Sequence, residues 1–229
     1  GQFALCVTSP GIDESWPLPQ KFITSGVPFI GETEFAFGFC DTPLIAITGT
    51  NGKSTCTELV ANILNGSGLR SLPCGNHGIP LSEVLTSGQS YDVLALEISS
   101  FQLETIVTFR PRVGIWLNFA DDHLDRYPNR EAYFNSKARL FMHATAEDLA
   151  VVLHGENFPT GSARRLTFSA FGLPADFIFS KGVFCAHGEP FGSSADLKLL
   201  GRHNMENVLA AIAACTEFGI TPEAGLRAL

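Results

Sequence analysis

The run Thr48-Gly49-Thr50-Asn51-Gly52-Lys53-Ser54-Thr55 follows directly on the apolar stretch Leu44-Ile45-Ala46-Ile47. Such a strand-to-turn junction can cradle a polyphosphate. Glycines let the backbone come close, loop and helix-start N–H groups point at the anion, Lys53 adds a positive charge, and Ser54 or Thr55 offers a hydroxyl to Mg2+. The commonest spacing has a glycine five positions before the glycine of the Gly-Lys pair, where this chain has Ile47; Gly49 sits three before Gly52. Spacing alone therefore leaves open a Gly-rich turn with a solvated lysine. The apolar run before it and the amphipathic run after it favour a nucleoside triphosphate, ATP.

Other residues of chemical interest sit at the ends of apolar runs. The stretch 92–98 ends in Glu97, followed by Ser99 and Ser100; the stretch 112–118 ends in Asn118, followed by Asp121, Asp122, His123 and Asp125; and 70–74 leads into Gly75-Asn76-His77-Gly78. A glutamate in Val93-Leu94-Ala95-Leu96-Glu97-Ile98 is costly to bury unpaired, which points to metal or hydrogen-bond ligation. The residues alone leave His123 open between a ligand and a solvated or capping histidine. Lys137, on a helix of mixed pattern, reads from sequence physics as a solvated surface lysine.

The elements that must position these residues alternate. Strands are expected at 44–48, 70–74, 92–98, 112–118 and 149–154, with helices at 53–65, 79–86, 100–107 and 129–143. Alternation of this kind builds an α/β fold, a parallel sheet flanked by helices, whose ligands lie beyond the carboxyl ends of the strands. Short strands at 165–168, 177–179, 183–185 and 197–200 read as a small antiparallel appendix, followed by a helix from Asn204 and a last one begun by Thr221-Pro222-Glu223. Before residue 42 only strands at 3–7 and 27–30 stand out, and 1–41 reads as the tail of a domain whose beginning is missing.

At 229 residues and 45% hydrophobic side chains the chain can bury a substantial core. A formal charge of −8 without basic runs argues against nucleic acid. Six cysteines without a Cys-x-x-Cys pair, mostly inside apolar segments, fit a reducing compartment. No apolar run reaches the roughly 18 residues of a membrane helix, nor does the N-terminus resemble a signal peptide. A cytoplasmic protein off the membrane is expected, and a monomer.

Together with Ser9-Pro10-Gly11-Ile12, Gly31-Glu32-Thr33-Glu34, Leu96-Glu97-Ile98-Ser99-Ser100-Phe101-Gln102, Asp122-His123-Leu124-Asp125-Arg126 and Gly201-Arg202-His203-Asn204-Met205-Glu206-Asn207, the phosphate loop resembles the Mur ligases. The resemblance runs along essentially the whole chain, and Ser9 to Ile12 with Glu97 to Glu104 resembles the D-glutamate-adding branch. His77 stands where that family usually has an aliphatic residue. A folylpolyglutamate-synthase-like ligase and a nucleotide-binding module without ligase chemistry are the alternatives.

The resemblance implies an ATP-dependent amide-forming ligase of peptidoglycan precursor synthesis, joining D-glutamate to UDP-N-acetylmuramoyl-L-alanine through an acyl phosphate. It implies that Gly49, Thr50, Asn51, Gly52, Lys53, Ser54 and Thr55 hold the phosphates and Asn204 and Asn207 the adenine. Two Mg2+ ions would be held by Ser54 and Glu97 and by His123 and Lys137, with Lys137 carbamylated by CO2. Lys53, Glu97, His123 and Lys137 form its catalytic set, and Ser9, Gly11, Asn76 and Ser99 its substrate contacts. Residues 1–41 would end a UDP-substrate domain with a Rossmann-like fold and 42–229 form the central ATP-binding domain. The amino-acid domain would be missing, so that the chain alone binds nucleotide weakly and does not ligate.

Overall fold

The computed structural model describes residues 3–197 and 201–229. Its centre is β3 (Leu44–Thr48), all five residues of which are buried. Both faces of this strand are apolar, as a parallel strand between two helical layers requires. Ile45 and Ile47 face one core, and Leu44 and Ala46 the other.

After β3 come α3 (Lys53–Gly66), β4 (Ser71–Gly75), α4 (Leu81–Thr86), β5 (Val93–Glu97), α5 (Ser100–Glu104), β6 (Val113–Trp116), α6 (Arg130–Ala138) and β7 (Leu149–Leu153). Then follow β8 (Arg164–Ser169), β9 (Phe177–Ser180), β10 (Val183–Ala186), β11 (Glu189–Ser193), α7 (Arg202–Cys215) and α8 (Pro222–Arg227). The sheet order is β11-β10-β9-β8-β7-β6-β3-β5-β4. Pairings from β4 to β9 are parallel, while β10 is antiparallel to both β9 and β11. Helices α3 and α7 pack together on one face, with Val60, Ile63, Val208 and Ile212 in the core they share. Leu81, Leu103, Leu140 and Phe141 cover the other face.

The expected α/β sheet is present, with differences of detail. Strand β8 was expected in the antiparallel part but pairs parallel with β7, so the sheet continues where a separate appendix was expected. Strand β11 was missed because it contains Pro190 and Gly192, residues that weaken a strand signal and are tolerated here at the sheet edge. The strand expected at 197–200 lies mostly outside the described residues. Helix α5 stops at Glu104, where Thr105-Ile106-Val107-Thr108 supplies four β-branched residues in succession. Helix α6 gives way at Arg139 to a 3-10 turn, Arg139–Phe141.

The N-terminal segment is a unit of its own: β1 (Cys6–Thr8) and β2 (Phe29–Gly31) pair in parallel, joined by α1 (Pro17–Thr24). Helix α2 (Glu32–Phe37) leads from it onto the large sheet, where Ala36 is core. The buried Glu34 carboxylate fastens this junction, accepting from Thr108 N and Oγ1 at 2.7 and 2.6 Å and from Phe109 N at 3.0 Å. Gln102 Nε2 donates to Thr33 Oγ1 at 3.0 Å, and Ser82 N to Glu32 Oε1 at 2.9 Å. The Gly31-Glu32-Thr33-Glu34 run is thus a joint between the two parts.

Candidate nucleotide and metal site

Strand β3 lies between β5 and β6, and its successor in the chain, β4, lies beyond β5. The order reverses beside β3, the place where doubly wound sheets open a crevice. Into that crevice runs the loop Gly49–Gly52. Gly52 has φ 86°, and a Cβ there would lie 2.6 Å from Asn207 Oδ1. Only glycine lets α3 start so near α7.

Asn118, just after β6, shapes the loop from outside. Its carbonyl accepts from Thr50 N at 3.1 Å, its Oδ1 from Asn51 N at 2.9 Å, and its Nδ2 donates to Asn51 O at 2.9 Å. Ala120 N donates to Thr50 Oγ1 at 3.0 Å. The loop is therefore held before any ligand arrives. Helix α3 has 14 residues and no acidic residue in its first turn, leaving its N-terminal dipole unopposed there.

Strand register sets Glu97 level with Ile47 and Gly75. Its carboxylate is buried, 3% exposed. Ser54 Oγ donates to Oε2 at 2.6 Å and Asn76 Nδ2 to Oε1 at 2.9 Å. These partners are neutral, and among the described residues no Lys, Arg or His nitrogen is within salt-bridge reach of Glu97. A buried anion in that position suits a cation. Beside a helix-start hydroxyl, it fits Mg2+ that keeps waters and phosphate oxygens for its other positions.

Lys137 overturns its reading as a solvated side chain: it is 2% exposed. Its Nζ donates to Gly49 O at 3.0 Å and lies 4.8 Å from the centre of the Tyr133 ring, one helical turn back. Lys53 Nζ donates to the same Gly49 carbonyl at 3.0 Å, and to Thr50 O at 3.0 Å. Burial, reinforced by the Lys53 charge, lowers the Lys137 pKa to about 7, with Asp122 opposing. Lys53 is lowered too, by burial, against Glu97 and Asp122.

His123 has φ 52°, a backbone conformation that few non-glycine residues adopt. Its ring lies 5.1 Å from Phe101 and 5.8 Å from Tyr133, so His123 and Lys137 both contact Tyr133. Of the four expected metal ligands, Ser54 and Glu97 are in direct contact, whereas His123 and Lys137 share only the Tyr133 ring. Among the described residues no group of three or more His, Cys, Asp or Glu could hold a metal ion by itself.

Asn207 is buried against Gly52, and Asn204 is half-buried one turn earlier on α7. Ser9 and Gly11 are exposed in the loop after β1, and Asn76 is exposed above Glu97. Ser99 is the N-cap of α5: its Oγ accepts from Gln102 N while Gln102 Oε1 accepts from Ser99 N, a reciprocal capping box. Sequence reasoning brings Asn118 to the strand ends beside the site without giving it a role, and assigns none to Tyr133. A polar residue at a strand end signals the first, and the i, i+4 spacing from Lys137 the second.

Residues 47–215 match the family described as Mur ligase middle domain. The chain belongs to the Mur ligase family. It is 39% identical to the UDP-N-acetylmuramoylalanine--D-glutamate ligase of Trichlorobacter lovleyi, an alignment covering 98% of this chain and 52% of that one. To the ligase of the same name from Lactococcus lactis subsp. cremoris it is 37% identical, covering 99% and 52%. The chain thus spans about half the length of these curated relatives. Solved Mur ligases share the fold. The Neisseria meningitides UDP-N-acetylmuramate:L-alanyl-gamma-D-glutamyl-meso-diaminopimelate ligase matches with TM-score 0.73 at 18% identity, over 99% of this chain and 78% of that one. The UDP-N-acetylmuramate-alanine ligase of Thermotoga maritima gives 0.61 at 22%, over 99% and 54%. In this Mur ligase middle domain the phosphate loop, Glu97, Lys137 and α7 all fall inside the matched range.

Proposed function

We propose that this chain is the ATP-handling core of a ligase that adds D-glutamate to UDP-N-acetylmuramoyl-L-alanine, a step of peptidoglycan precursor synthesis. The observation that carries the reading is the buried Glu97 carboxylate bonded to Ser54 at the mouth of a pre-shaped phosphate loop. The names of the relatives supply the amino acid and the sugar.

A carboxylate does not condense with an amine in water. Transfer of the γ-phosphoryl group of ATP to the L-alanine carboxylate forms an acyl phosphate and releases ADP; the D-glutamate amine then attacks the acyl carbon, loses a proton and expels phosphate. Mg2+ supplies charge neutralisation between the two anions that must meet. Gly49, Thr50, Asn51, Gly52 and Thr55 present loop and helix-start amides to the phosphates, and Lys53 places its ammonium beside them. Ser54 and Glu97 would hold one ion, and His123 and Lys137 a second.

Lys137 serves as a ligand only as a carbamate. With its pKa near 7, about half of the amine is neutral at neutral pH and able to add to CO2, the proton leaving to solvent. Asn204 and Asn207 face the adenine from α7, an amide both donating and accepting at a purine edge. Ser9, Gly11, Asn76 and Ser99 contribute to the UDP-sugar side, with residues 1–41 belonging to the UDP-substrate domain and 42–229 to the ATP-binding domain. The protein works as a cytoplasmic monomer. Among the described residues no helix is long and apolar enough to cross a membrane.

The test is phosphate release by the full-length protein with ATP, Mg2+, UDP-N-acetylmuramoyl-L-alanine and D-glutamate. Turnover requiring both substrates is expected. Turnover with folate in place of the UDP-sugar, or ATP hydrolysis indifferent to both, would contradict the reading.

A further inference from the structure

The segment after His123 is tied to the N-terminal segment by one side chain. The Arg126 guanidinium forms an ion pair through Nη1 with Asp13 Oδ2, on the loop after β1, and through Nη2 with Glu104 Oε2 at 3.0 Å, the last residue of α5. Asp13, Glu104 and Arg126 side chains are only 25, 23 and 22% exposed, so solvent screens these pairs less than at an open surface. Beneath them the guanidinium carbon lies 5.5 Å from the centre of the Phe101 ring, the same ring that carries His123 at 5.1 Å and stacks with Tyr127 at 5.9 Å. The amides of Arg126 and Tyr127 both donate to the His123 carbonyl at 3.0 Å, closing the turn that holds His123 at positive φ. From Tyr127 the contact runs on to Ser136, whose Oγ donates to the phenolic oxygen at 3.2 Å, next to Lys137 in α6.

We infer that Arg126 is a positioning residue: it fastens the Ser9–Glu14 loop to the His123 turn, so that the loop proposed to meet the UDP-sugar and the turn proposed to meet the second metal keep one fixed relation. The inference rests on the proposed function for its consequence in turnover, but the tether itself is a property of this fold. Asp13 is the informative partner because it lies in neither the phosphate loop nor the set of metal ligands. A charge pair between two short loops fixes the separation of the groups each carries, and misplacement of a reacting group by about 1 Å costs up to ~100-fold in rate.

Two measurements on the full-length protein test it. Backbone amide exchange is compared among wild type, Asp13→Asn and Arg126→Lys, and Asp13→Asn, remote from the core, protects the test against a variant that does not fold. Each substitution is expected to speed exchange in both 9–16 and 121–127 while β3, β5 and β6 stay protected. Acceleration in one segment alone, or in neither, would overturn the tether whatever the enzyme's substrate. In turnover, Arg126→Ala is expected to raise KM for the UDP-sugar and lower kcat, together at least about tenfold in kcat/KM, with KM for ATP unchanged. Arg126→Ala together with Asp13→Asn should lose little more than Arg126→Ala alone. Losses that simply multiply, or an equal rise in KM for ATP, would refute coupling between the loops. Wild type without UDP-sugar-dependent turnover would refute the proposed function and leave amide exchange to decide the tether.

Discussion

Two lysine ammonium groups share the Gly49 carbonyl, and only one of them can be charged cheaply. Lys137 has its pKa lowered from 10.5 to about 7 by burial and by Lys53. Below pH 7 it is charged in both folded and unfolded states, and folding bears the full penalty of burying that charge. Between about 7 and 10.5 the unfolded chain binds the proton and the folded chain does not, so stability rises with pH; above that window the penalty is gone. The whole effect is on the order of 5 kcal/mol. In CO2-free buffer the unfolding midpoint in denaturant is expected to climb from pH 7 to 10, and Lys137→Met to flatten the climb by stabilising the protein most at neutral pH and below. A climb unchanged in Lys137→Met would assign the dependence to another group. None of this was legible around Lys137 in the sequence: the wall of its pocket is the Gly49 loop, 88 residues away, and only the Tyr133 spacing is local. Glu97 was legible because its neighbours in β5 are all apolar.

At the scale of elements the loop and α3 act together, since Gly52 starts the helix in a left-handed conformation against Asn207. Gly52→Ala places a Cβ where α7 already has an amide. It is expected to cost about 1 kcal/mol or more in strain and to abolish nucleotide binding, measured by titration calorimetry. Asn118→Ala, which removes two of the loop's three bonds to Asn118, is expected to weaken binding about tenfold while stability falls by about 1 kcal/mol. Wild-type affinity in Asn118→Ala would mean that the loop needs no outside support. Strands β3, β5, β6 and β7 could be read ahead because buried parallel strands are continuous apolar runs. The direction of β8 could not, since its parallel pairing with β7 follows from chain path and not from anything in Arg164–Ser169 itself. Proline and glycine in Glu189–Ser193 hid an edge strand that needs few ladder bonds.

Across the whole molecule the contacts that connect the N-terminal unit to the large sheet include Glu34 with Thr108 and Phe109, and Arg126 with Asp13. Glu34→Ala leaves the buried Phe109 amide and the more exposed Thr108 donors without their acceptor, and a loss of roughly 1–3 kcal/mol is expected, read as a lower urea midpoint. An unchanged midpoint would mean that the junction contributes nothing to global stability. The motif Gly31-Glu32-Thr33-Glu34 was visible in the sequence, but its role as a joint depended on partners 50 to 75 residues away. The central claim, that the crevice beside β3 binds Mg·ATP through the Gly49–Thr55 loop, is tested most directly by thermal unfolding of the chain with and without Mg·ATP, beside Lys53→Ala. A ligand that binds only the folded state at a hundredfold over its Kd adds about 2.7 kcal/mol, a rise of about 5 °C or more for a chain of this size. That rise in the wild-type chain, absent in Lys53→Ala, is the predicted result; a cooperative transition that Mg·ATP never moves, or moves equally in both proteins, would contradict it.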